Sequence, residues 1–161
     1  MAPRLPGPKH AGRHEWNSYE DYKKVNERKL AQYPFIEDLK LAFMEILCEG
    51  ALFVGMEATM SLPKNVMLEV TKYLATDRRG PGRGRLYVRT FSYRYNAWIK
   101  GKHAILRYDN NDDLDDYHGH WWDVETGEFL ERRSMSRDEF PVFSEVLDEL
   151  DEMMGFTSGE R

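Results

Sequence analysis

Two short motifs hold the residue types from which acid–base chemistry is built. Arg107-Tyr108-Asp109-Asn110 closes one apolar segment, and His118-Gly119-His120 opens the next. A histidine titrates near neutral pH and can take up or give back a proton. A carboxylate such as Asp109 can orient an imidazole, and a guanidinium such as Arg107 can hold a phosphate as its charge develops. Arg107, Asp109, His118 and His120 are therefore the candidate catalytic residues, and together they suffice for RNA cleavage without a metal. Asp109, His118 and His120 are also of ligand type, but no metal or cofactor is expected. A structural reading stands beside these: half-buried, hydrogen-bonded histidines, with Asp109-Asn110 shaping a turn.

A second set of residues fits nucleic-acid contact. From Arg78 to Arg107 the chain has nine Lys or Arg and no Asp or Glu, although the net charge of the whole is −5. Arg85, Arg89, Arg94 and Lys102 of this block can neutralise phosphates, and Tyr93 and Tyr95 between them can stack on unpaired bases. Strands also favour Tyr, Phe and Trp for packing alone, so a plain sheet strand is the competing reading. Asp109 to Asp116 holds five Asp. It lacks the central Gly and closing Glu of an EF-hand loop and reads as a solvated charge run. Gly80 to Gly84 lacks the Lys-Ser/Thr of a phosphate-binding loop.

These residues need a sheet to position them. Ala51–Leu62, Val66–Leu74, Arg85–Ile99 and His103–Asp109 read as four antiparallel strands in meander order, separated by short turns at Pro63-Lys64-Asn65 and Lys100-Gly101-Lys102 and by a Gly-rich loop. His118–Val124 reads as a fifth strand, and Phe129–Arg133 as a further extended segment. If the chain turns back antiparallel after Asp109, alternation puts His118 and His120 on one face beside it. Three helices are expected: a polar surface helix capped by Ser18, a helix over Phe35–Cys48 ended by Gly50, and a helix over Phe140–Met154. The last two would lay apolar stripes on one face of the sheet. The fold class is thus α+β, an antiparallel meander of four to five strands with helices on one face.

At 161 residues, 41% of them apolar, the chain fits one domain over 15–155, with a disordered tail at 1–14 and a frayed end at 156–161. No run approaches the roughly eighteen apolar residues of a membrane span. The first residues show no secretory pattern. Cys48 is the sole cysteine, lies in an apolar run, and is expected to be a buried thiol in a cytoplasmic protein.

The order of these motifs resembles the TumE-like toxin family of prokaryotic toxin–antitoxin systems. Tyr93-Arg94-Tyr95, then Arg107-Tyr108-Asp109-Asn110, then His118-Gly119-His120 and a closing helix through Glu145 to Leu150 carry the likeness, over about residues 56–154. Asn111-Asp112-Asp113 stands where the family has a further pair of histidines. The resemblance implies a toxin whose partner is a cognate helix-turn-helix antitoxin. The ribonuclease reading comes from the residues themselves. The alternative is a non-catalytic module of the same fold that binds a nucleic acid or a protein.

Overall fold

The computed structural model describes residues 13–77, 87–110 and 115–157. One antiparallel sheet dominates it. The strands are β1 (Glu15–Trp16), β2 (Asp38–Cys48), β3 (Ala51–Ser61), β4 (Val66–Asp77), β5 (Tyr87–Ile99), β6 (Ala104–Asp109), β7 (His118–Trp122) and β8 (Phe129–Ser134). From β2 to β8 each strand pairs with the next in sequence, a meander, and β1 adds to the first half of β5. The helices are α1 (Tyr19–Leu30) and α2 (Phe143–Met154). The class is α+β as expected, with eight strands rather than four or five.

The added strands come partly from β2, which takes the place of the helix expected over Phe35–Cys48. Phe35, Leu39, Phe43 and Leu47 suit a helical stripe, but Leu39, Leu41 and Phe43 also alternate at strand period. Glu49 and Gly50 decide between the two. Both have positive φ, 51° and 79°, the geometry of a two-residue hairpin turn, so Gly50 ends no helix. The hairpin pairs Asp38 with Ser61 at its base and Cys48 with Ala51 at its tip. That tip lies at the sheet edge, where Leu47 is 75% exposed and Cys48 is exposed rather than buried.

Both helices cover one face of the sheet. Ser18 caps α1, its hydroxyl accepting from the Asp21 amide. Contrary to a surface role, α1 buries Tyr19, Tyr22 and Leu30. In α2, Phe143, Val146, Leu147 and Leu150 face the same core, and Phe140 just before it is fully buried. The facing strand residues are Met56, Ala58 and Met60 of β3, Leu68, Val70 and Leu74 of β4, and Tyr93, Tyr95 and Ala97 of β5.

The chain ends of the described region are built into this core. Of the tail expected at 1–14, residues 1–12 lie outside the described residues. His14 is 2% exposed, and its Nε2 lies 2.9 Å from the Arg137 carbonyl. At the other end Phe156 is buried against Phe35. Among the described residues no helix is long and apolar enough to cross a membrane.

Candidate functional site

Register places the two motifs side by side on the face of the sheet opposite the helices. Arg94, Asp109, His118 and Ser134 form one cross-strand row of β5, β6, β7 and β8. Asn96, Arg107, His120 and Arg132 form the next. Arg107, Asp109, His118 and His120 are thus brought together, with both imidazoles on one face beside Asp109.

The two histidines differ in their surroundings. His118 is 7% exposed. Its Nδ1 lies 2.9 Å from the Asp116 carbonyl, and its Nε2 lies 3.2 Å from Asp109 Oδ1. Both neighbours are acceptors, so both contacts are hydrogen bonds together only when both ring nitrogens carry a proton. His120 is half-buried, with its ring centroid 5.0 Å from that of His118. Burial, first, and then the neighbouring His118 hold its pKa below the usual histidine value. His120 is therefore the imidazole kept neutral and open to solvent.

Three residues absent from the sequence-based list belong to this face. Arg132 flanks His120 in the register and donates to Asp116 Oδ2 at 2.9 Å. Trp122 and Phe129 sit against His120 with ring centroids 5.9 and 6.1 Å away. Phe129 is 52% exposed, so an aromatic surface lies next to the imidazoles. The alternation of His118, His120 and Trp122 already put Trp122 on their face. The pairing of β8 was not readable, and with it Phe129 and Arg132 were missed.

The β6–β7 pair is locked from the helix side. Tyr108 Oη and Trp121 Nε1 both donate to the Glu149 carboxylate of α2, at 2.6 and 3.0 Å. Gly119 is the cross-strand partner of Tyr108 and precedes Trp121 by two residues, and a Cβ there would stand 2.6 Å from the Trp121 ring and 3.0 Å from Tyr108. Its lack of a side chain thus makes room for Trp121 and Tyr108, not for a substrate on the opposite face. Gly119→Ala is expected to destabilise the protein by roughly 1–3 kcal/mol through overpacking, read as a lower midpoint of urea unfolding with an unchanged slope.

Asn110 does more than shape a turn. It is fully buried, accepts from the Tyr93 amide and donates to the Phe91 carbonyl, both at 2.8 Å. These bonds span a bulge in β5, where Ser92 pairs with Tyr73 and Thr90 with Leu74, leaving Phe91 unpaired. The bulge reverses the alternation of β5. Before it Val88 and Thr90 point into the core, and after it Tyr93 and Tyr95 do.

That reversal corrects the expected nucleic-acid surface. Tyr93 and Tyr95 are fully buried, their rings 4.9 and 5.9 Å from Phe140, and neither can stack on a base. Arg94 is exposed and joins the row of Asp109. Arg89 and Lys102 are exposed but stand at opposite ends of β5, and Arg85 lies outside the described residues. Among the described residues no group of three His, Cys, Asp or Glu is arranged to hold a metal ion. No family model, curated protein or solved structure matches the chain.

Proposed function

We propose that this chain cleaves RNA without a metal, as the toxin component of a toxin–antitoxin pair. The observation that carries the reading is the convergence of Arg107, Asp109, His118 and His120 on two adjacent rows of the sheet face opposite the helices. In this reading His120 takes the proton from a ribose 2′-hydroxyl, whose oxygen attacks the adjacent phosphorus. The 5′-oxygen leaves with a proton from His118, and a 2′,3′-cyclic phosphate remains. Arg107 and Arg132 hold the phosphate oxygens, and Asp109 sets the orientation of His118. Trp122 and Phe129 offer stacking surface for the flanking bases. The toxin role and the helix-turn-helix antitoxin partner follow from the motif resemblance.

The test is incubation of the purified chain with end-labelled RNA in excess chelator. Fragments ending in cyclic phosphate are expected, at undiminished rate. Intact RNA over a range of pH would exclude the nuclease reading. One observation favours a non-catalytic RNA-binding module of the same face: both His118 nitrogens are already engaged. In that case RNA is bound but not cut, and replacing Arg94, Arg107 and Arg132 with Ala lowers the salt dependence of binding.

A further inference from the structure

On the helix side of the sheet, the alternation that buries Leu68, Val70 and Leu74 also buries Lys72. Lys72 is 1% exposed. Among the described residues its ammonium has neither an ion pair nor a hydrogen bond. It lies instead over three rings, with Nζ 5.3 Å from the Phe143 centroid, 5.5 Å from Tyr95 and 5.8 Å from Tyr93. The hydroxyl of Tyr95, one of these rings, is also buried without a hydrogen-bond partner among the described residues. Buried cations are normally paired, and ring faces offset only part of the loss of hydration.

Lys72 also forms part of the wall of a cavity of about 240 Å³, together with Asn26, Lys29, Trp16, Phe143 and Arg13. Arg13 is committed to Glu145 and to the Phe140 carbonyl. The carboxylate on the wall, Glu15, accepts from the Tyr87 hydroxyl at 2.7 Å. Lys29 has no ion pair among the described residues. Two cations without counter-ions, one of them buried, thus border a space with aromatic walls.

We propose that this cavity between α1, α2 and the sheet binds a small single-ring carboxylate, its anionic end on Lys72 and its ring against Trp16 and Phe143. The volume suits one ring, since pockets for drug-sized ligands begin at roughly 300 Å³. Burial, and after it the charge of Lys29, lowers the Lys72 pKa to about 7. The ammonium is therefore present below neutrality and lost above it. A carboxylate that binds the charged form raises that pKa in return.

Benzoate is the probe, titrated into the full chain at pH 6.0 and 8.5 and followed by calorimetry. One-to-one binding is expected at pH 6.0, weaker by roughly thirtyfold at pH 8.5, where most of the amine is neutral. Lys72→Met abolishes it, and Lys29→Met weakens it. In the unaltered protein benzoate shifts the Lys72 titration, read from its ε-carbon resonance, to higher pH, so the test does not depend on the variant folding. Equal affinity at the two pH values, unchanged binding by Lys72→Met, or an unmoved Lys72 titration overturns the proposal. Saturation by inorganic phosphate but not benzoate overturns the ring-bearing ligand.

Discussion

Replacing His120 with Ala is expected to lower RNA cleavage by roughly 10²–10⁴-fold, the range for loss of a positioned acid–base group. Folding should be undisturbed, because the side chain is half-buried and makes no hydrogen bond to the protein among the described contacts. The histidine partner should behave differently. His118 holds the Asp109 carboxylate, which is itself 8% exposed. His118→Ala leaves that buried carboxylate without its partner and should lower stability as well as activity. The pH profile separates the two roles. With its pKa held down by burial and by His118, His120 is a competent base on the acid side of the usual histidine range. The rising limb of kcat/KM should therefore lie below pH 6.5 and move upward in His118→Asn, where the neighbouring charge is gone. A His120→Ala variant that is folded and cleaves RNA as fast as the parent removes His120 from the reaction and with it the acid–base assignment of this face.

The site was more legible than the sheet that carries it. Alternation alone put His118 and His120 on one face, and a forced antiparallel return after Asp109 put them beside it. Neither inference depended on knowing the neighbours of β8. Tyr93 and Tyr95 of β5 were placed on a binding surface by residue type and basic neighbours alone, and the bulge at Phe91 sets them on the core face. A bulge is one residue of irregularity, and only the buried amide of Asn110, seventeen positions from Tyr93, marks it. The β2 segment failed for a related reason. Its apolar residues satisfy two periods, and the deciding signal lay in the Glu49-Gly50 turn rather than in the segment itself.

Lys72 shows the opposite case, a signal present in the sequence that patterning discards. Val66, Leu68, Val70, Lys72 and Leu74 share one strand face, and a lysine in the middle of such a series points into the core unless the strand ends first. Here the strand runs on to Asp77, and α1 and α2 close over the position. His14 is likewise held in the core, ahead of β1 and against Arg137. A lysine and a histidine are thus buried on the helix side, apart from the histidine pair on the other face.

Their burial predicts an unusual dependence of stability on pH. His14 falls from 6.5 to about 4, through burial first and then through Arg137, Lys72 and Arg13. The folded protein resists protonating it, so between pH 6.5 and 4 the unfolded chain binds the extra proton and stability drops as pH falls. The gap corresponds to on the order of 3 kcal/mol. Lys72, lowered to about 7, acts in the same direction in a higher window. Between pH 7 and its unfolded value of 10.5 the unfolded chain holds the proton that the folded chain has released. Stability therefore rises with pH across that interval, by on the order of 5 kcal/mol. Above pH 10 the sign reverses. Tyr22 and Tyr95 are raised well above 10 by burial, so tyrosine ionises first in the unfolded chain. Urea unfolding at pH 5, 7, 9 and 11 is expected to give a midpoint that climbs through pH 9 and falls by pH 11. Lys72→Met should stabilise the protein at pH 7 and flatten the curve from 7 to 10, while His14→Gln flattens only the acid limb. A maximum near neutrality in the parent protein, unmoved by Lys72→Met, would mean that Lys72 reaches solvent and is not held in the core.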